Sequence, residues 1–155
     1  MMDIATLLAP EGVTLRGSAS SKRQALHMVA EAAAGSLGLD EGVLFAALLE
    51  REALGSTGLG AGVAVPHARI KGMTKVQAVF VRLETPVPYD AVDDRPVDLL
   101  MGLFAPPDSG AEPLRALAAV SRALRAAELR ERLRQAQTED AVRALFVDDM
   151  PATAA

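Results

Sequence analysis

Apolar residues recur at helical spacing in the first third of the chain and in near-continuous runs farther along. Leu26, Val29, Ala30 and Ala33 repeat at intervals of three and four, which predicts a helix over about 22–34 with that face buried. Ser20 and Ser21 stand before it as candidate caps. Asp40 is placed to cap a second helix over about 41–54, with Gly55 as its stop. Leu44, Ala47 and Leu48 share one face of that helix. Seven positions on from Leu44, or three on from Leu48, comes Arg51, so a guanidinium extends the apolar stripe with Glu50 and Glu52 to either side. A partly buried arginine needs a partner: a bound anion, a salt bridge, or the last carbonyls of its own helix.

The strand pattern is equally plain. Ile4 to Leu8 is a short apolar segment broken at Pro10, and Val13-Thr14-Leu15 reads as an edge strand. Ala78 to Leu83 (AVFVRL) reads as a strand. Val97 to Ala105 (VDLLMGLFA) is almost continuously apolar, as a central strand buried on both faces should be, and Pro106-Pro107 ends it. Between these two lies an acidic loop, Tyr89 to Pro96. Asp90, Asp93, Asp94 and Asp98 lack the glycine and terminal glutamate of a calcium loop, so they read as solvated carboxylates and no metal site is expected.

From Glu112 the chain turns helical. Leu114, Leu117, Ala118 and Ser121 mark one helix, with Pro113 acceptable in its first turn. Leu129 and Leu133 mark a second, and Thr138 opens a capping-like TEDAV before the last. Arg115, Arg122, Arg125, Arg130, Arg132 and Arg134 read as a solvated face balanced by Glu128 and Glu131, or else as a docking surface for an acidic partner. Residues 148–155 read as a flexible tail.

Composition narrows the classes. Half of the 155 residues are apolar but only 3% are aromatic, so the core must be built from Ala, Leu, Val and Met. The length fits one domain. With no cysteine, disulfides, thiolate catalysis and cysteine metal sites are excluded. A net charge of -4 gives no reason to expect nucleic-acid binding. No apolar run is long enough to span a bilayer. Met1 to Leu15 lacks a basic region followed by a long apolar core, so a cytoplasmic protein is expected.

The chemistry concentrates in Arg51 to Arg69, REALGSTGLGAGVAVPHAR. Gly55, Gly58, Gly60 and Gly62 form a loop between helix and strand, and such a loop can fold its N–H groups into an anion cradle. It is neither a P-loop nor a dinucleotide fingerprint, because no Gly-Lys-Ser/Thr follows and no strand precedes it. Ser56 and Thr57 add hydroxyls suited to a phosphate oxygen or to capping the turn. His67 follows Pro66 at a strand end, where open α/β sheets carry their sites. His27 falls on the polar face of the first helix and reads as a surface histidine. No serine sits in a nucleophile elbow, and two distant histidines do not make a zinc site. One histidine, an anion-friendly loop, two hydroxyls and an inward arginine fit a covalent phosphoryl acceptor. A hydrolase using His67 as base lacks a nucleophile.

Arg51-Glu52, Gly55-Ser56-Thr57-Gly58 and Gly62-Val63-Ala64-Val65-Pro66-His67 together resemble the fructose/mannitol-type enzyme IIA domain of the bacterial phosphotransferase system, most of all its nitrogen-regulatory branch. Ser21 to Leu26, Pro96 to Leu99 and the helix from Leu114 to Leu124 extend the likeness over about residues 4–147. The resemblance implies a single α/β domain, a mixed sheet of about five strands with helices on both faces. It implies that His67 accepts a phosphoryl group on Nε2 from a phosphohistidine of an HPr-like carrier, that Arg51 supports the phosphate, and that Ser56, Thr57 and Gly58 contact it. It implies no cofactor, no metal and no membrane insertion. The chain would be a phosphoryl carrier rather than an independent multi-turnover enzyme. The next partner is either a IIB domain or, in the nitrogen branch, regulated proteins that sense the phosphorylation state. Without a fused IIB or membrane segment, the regulatory branch or a separate IIA subunit is expected. One position departs from the family: where a second active-site histidine is usual, this chain has Pro113. That leaves open a binding module of the same fold that works without phosphorylation.

Overall fold

The structure, a computed structural model, describes residues 3–108 and 110–152. The Asp3 carboxylate accepts from the Ala5 N–H and starts a one-turn helix, α1 (Ile4–Leu7), and β1 (Leu8–Gly17) follows directly. Pro10 does not break this segment. It lies within β1, an edge strand where a missing N–H is tolerated. Ser21, not Ser20, caps α2 (Lys22–Leu37), accepting from the Gln24 N–H at 3.1 Å. Asp40 caps α3 (Glu41–Ala53), accepting from the Val43 N–H at 3.0 Å.

Three short strands come next, β2 (Gly58–Gly60), β3 (Val63–Ala64) and β4 (His67–Arg69), then two long ones, β5 (Gln77–Val87) and β6 (Val97–Ala105). The last third folds as α4 (Glu112–Leu124), α5 (Ala127–Gln135) and α6 (Glu139–Ala152). Thr138 Oγ1 accepts from the Ala141 N–H at 3.1 Å, as its TEDAV context predicts. Because α6 is helical to Ala152, the tail expected from residue 148 begins inside it, and residues 153–155 lie outside the described residues.

The six strands form one mixed sheet in the order β1-β5-β6-β3-β2, with β4 also on β6. β6 holds the centre, antiparallel to β5 and parallel to β3 and β4. β3 and β4 run along the same side of β6, Val63 opposite Leu99 and His67 opposite Leu103. Pro66 divides them, since it has no N–H to give, although its carbonyl still accepts from Leu103 at 2.9 Å. That division accounts for a sixth strand where about five are expected.

Alternate residues of the central strands face opposite layers. On one side α2 and α3 cover Val79, Val81, Leu100 and Phe104. On the other α1, α4, α5 and α6 cover Phe80, Leu99, Met101 and Leu103. Gly102 marks a close approach of helix to sheet: a Cβ there would lie 2.5 Å from Val29 Cγ1 on α2.

Several charged groups also hold loops in place. Arg134, at the end of α5, grips the Asp98 carboxylate with bonds of 2.9 Å to each oxygen and donates to the Ala61 carbonyl at 2.9 Å. Asp93 accepts from the N–H groups of Ala61 and Arg95, which hold its carboxyl below the usual range. Arg143 of α6 donates to the Leu8 and Ala9 carbonyls of β1, next to Pro10 and to Glu11 with its φ of 59°.

Candidate phosphoryl-acceptor site

His67 is the first residue of β4, and its register opposite Leu103 ties its backbone to the central strand. The ring is half-buried and makes two polar contacts. Nδ1 lies 2.9 Å from the Val65 carbonyl, and the Arg51 Nε lies 3.3 Å from Nε2. A carbonyl only accepts and a guanidinium only donates. Both contacts therefore require the same tautomer, with the proton on Nδ1 and a lone pair on Nε2. Arg51 reaches this position from the last turn of α3, and its Nη1 also donates to the Gly55 carbonyl at 3.0 Å.

Both residues line a cavity of about 430 Å³. Its floor is apolar, with Val76, Leu103 and Leu117, and its polar groups are Glu50, Arg51, His67 and Arg69. Pro113 lines the same cavity from the first turn of α4, so the position singled out in the sequence shares a cavity with His67. Leu54 and Leu114 stand at its mouth, 83% and 66% exposed. Both are large apolar side chains left in water at the edge of the cavity that holds His67.

Ser56, Thr57 and Gly58 do not line this cavity. Their polar groups turn into the protein: Thr57 N–H and Oγ1 both go to the Glu52 carboxylate, at 2.7 and 2.6 Å. Ser56 Oγ donates to the Tyr89 carbonyl at 3.0 Å and accepts from the Gly58 N–H at 3.1 Å. The Gly55 N–H is taken by the Glu52 carbonyl. Glycine spacing suggests an open anion cradle, but this loop is packed shut, with the Gly58 α-carbon against Ala91. It acts on the site through the Gly55 carbonyl that holds Arg51.

Glu52 is the residue that sequence reasoning misplaces. It is 8% exposed, not turned to one side of the stripe. Steps of four from Leu44 and Leu48 land on it, and that i+4 row is the buried face of α3. Its carboxylate also meets Lys22 Nζ at 3.0 Å and the Tyr89 hydroxyl at 3.5 Å. Burial, reinforced by that carboxylate, raises the Tyr89 hydroxyl far above its ordinary value, so it stays protonated. His27 stands apart from the cavity. Its Nε2 lies 2.7 Å from the Glu41 carboxylate, and its ring meets Phe45 edge-on.

No helix among the described residues is long and apolar enough to cross a membrane. Residues 6–148 match the family described as phosphoenolpyruvate-dependent sugar phosphotransferase system, EIIA 2. A nitrogen regulatory protein of Bradyrhizobium diazoefficiens is 39% identical over 154 residues, covering 99% of this chain and all of that protein. One from Escherichia coli is 38% identical over 148 residues, 95% of this chain and 91% of its own length. The fold superposes on the crystal structure of nitrogen regulatory protein IIA-Ntr from Neisseria meningitidis with a TM-score of 0.85 and 31% identity, over 92% of this chain and 98% of that one. IIA mannitol from Escherichia coli superposes with a TM-score of 0.74 and 25% identity, over 88% and 96%. With the fold, the motif and near full-length likeness in agreement, the chain belongs to the EIIA type 2 family of the phosphotransferase system and sits among relatives named nitrogen regulatory proteins.

Proposed function

We propose that this chain accepts a phosphoryl group on Nε2 of His67 from a phosphohistidine of an HPr-like carrier, and regulates partner proteins according to whether His67 is charged. The observation that carries the reading is the tautomer: Nε2 holds the lone pair and is half-exposed at a cavity with a guanidinium beside it. The Nε2 lone pair attacks phosphorus in line, and the P–N bond to the carrier's histidine breaks with its electrons returning to that nitrogen. The imidazole of His67 becomes cationic, and the Nδ1–H bond to the Val65 carbonyl strengthens as the charge grows. Arg51 passes its Nε–H from the vanished lone pair to a phosphoryl oxygen, so no metal is called for. The regulatory half of the proposal leans on the names of the relatives. A separate subunit that hands the group to a IIB domain is the sugar-system version of the same chemistry.

The test is intact-mass spectrometry at neutral to alkaline pH after incubation with phosphoenolpyruvate, enzyme I and an HPr-like carrier. One added phosphoryl mass, localised to His67 by fragmentation, is the expected result. No added mass with active partners, or a mass on another residue, ends the reading.

Pro113 favours a second reading, a docking module that works without phosphorylation. A proline side chain has nothing to donate to a phosphoryl oxygen, so this part of the cavity wall offers the charged state no donor. Pro113→His restores a donor at that wall. Since a hydrogen bond to a charged group contributes about 1.5–3 kcal/mol, the charged protein should lose its phosphoryl group about tenfold to a hundredfold more slowly. Hydrolysis followed by the same mass measurement checks this. An unchanged lifetime would mean that residue 113 does not reach the phosphoryl oxygens.

A further inference from the structure

Arg51 and Glu52 are consecutive, yet they leave the end of α3 in opposite directions and hold the two sides of one short loop. Arg51 faces the cavity and holds the Gly55 carbonyl at 3.0 Å. Glu52 faces the interior and holds Thr57, two residues later, by both its N–H and its hydroxyl. The bonds at 2.7 and 2.6 Å are short, and both end on one buried carboxylate. The carboxylate also pairs with Lys22 Nζ at 3.0 Å, from the first turn of α2. The Lys22 ammonium in turn sits 4.7 Å above the Tyr89 ring, and the Tyr89 hydroxyl meets both Thr57 Oγ1 at 3.2 Å and Glu52 at 3.5 Å. A carboxylate so enclosed makes demanding requirements of its partners, because any one removed leaves a charge or an N–H buried without compensation. So demanding a cluster, under a loop of only a few residues, fixes where that loop's carbonyls point.

We propose that Glu52 is a positioning residue for phosphoryl transfer: by pinning Thr57 it sets the Gly55 carbonyl, which in turn orients the Arg51 guanidinium on Nε2 of His67. This rests on the reading of His67 as the phosphoryl acceptor. Glu52 itself does not line the cavity and never meets the phosphoryl group. Thr57 is part of the same device, a loop anchor rather than a phosphate ligand. Held in this way, the guanidinium waits in its working place, and no reorganisation is left for the moment of transfer.

The experiment is single-turnover phosphoryl transfer from the charged HPr-like carrier, at varied carrier concentration, to the wild type, Glu52→Ala, Thr57→Val and Thr57→Ser. It is run at a temperature where circular dichroism shows every variant folded. The saturating rate should fall about tenfold or more in Glu52→Ala and about threefold to tenfold in Thr57→Val, with the half-saturating carrier concentration within about twofold of wild type. Thr57→Ser keeps both bonds and should transfer at the wild-type rate. The Arg51 Nε–H resonance should move in the two slow variants and stay in place in Thr57→Ser. If Glu52→Ala does not fold, Thr57→Val carries the test alone. Wild-type rates in both variants, a loss confined to the half-saturating concentration, or an unmoved Arg51 resonance would each overturn the proposal. If the wild type itself takes no phosphoryl group, it is the reading of His67 that has failed, and the Arg51 resonance alone decides whether Glu52 positions the guanidinium.

Discussion

His67→Ala should take up no phosphoryl group under conditions that charge the wild type completely. The other histidine offers no substitute. His27 has its Nε2 bound to the Glu41 carboxylate, and it lies outside the cavity that holds Arg51. Serine and threonine hydroxyls near the site are also spent, since Ser56 donates to Tyr89 and Thr57 to Glu52. The substitution should leave the fold nearly as stable as before. His67 is partly exposed, its ladder bonds are made by backbone, and the side chain's two contacts contribute on the order of 1 kcal/mol together. Loss of uptake with an unchanged melting curve is therefore the expected pair of results from mass spectrometry and circular dichroism. Uptake that survives would place the acceptor elsewhere.

Gly102→Val should be the most damaging single change to the fold. Its first added carbon already falls 2.5 Å from Val29 Cγ1, with Phe104 and Val79 side chains at 3.3 Å. All three neighbours are fully buried, so none can swing into solvent. The helix must lift off the sheet, and overpacking of this kind costs about 1–3 kcal/mol for small insertions and more for a branched side chain. At about 2–4 °C per kcal/mol for a chain of this size, a loss of 3 kcal/mol or more lowers the melting temperature by about 10 °C. Gly102→Ala should cost less, and pairing it with Val29→Ala should restore part of the loss because the two changes share one space. Thermal unfolding of the four proteins checks this. A Gly102→Val protein as stable as wild type would mean that α2 is not seated as described.

Much of this arrangement is legible in the sequence, and the illegible part has a specific cause. Local signals are clear: Asp40 and Thr138 cap the helices they are placed to cap, and the apolar run at 97–105 is the central strand. The pair of His67 and Arg51 is legible too, because the histidine follows a glycine-rich loop and the arginine continues a helical stripe, although His67 begins β4 where the sequence suggests the end of a strand. Which of Arg51 and Glu52 turns inward is not. Adjacent residues lie about 100° apart at the margin of a stripe, and helical period alone does not choose between them. The choice is made by Lys22 and Tyr89, which lie 30 and 37 residues away along the chain. For the same reason the loop at 55–58 reads as open when it is closed: its partners come from distant segments. The acidic loop reads as solvated and its aspartates are exposed, but the sequence does not show that Asp93 also holds Ala61 and Arg95, or that Asp98 in β6 pairs with Arg134.

The outer side of β1 has a bearing on how such a protein can be kept in a crowded cell. A ten-residue strand at the margin of a sheet is a template on which another chain can polymerise. Here two of its carbonyls are occupied by Arg143, Pro10 has no N–H to offer, and Glu11 turns the backbone out of line. The margin at the opposite end, β2, is three residues long. Fibrils need a longer register than that, so neither end of the sheet invites strand-by-strand growth. Both margins of the sheet are therefore closed to the addition of a further strand, one by its side chains and its bend, the other by its shortness.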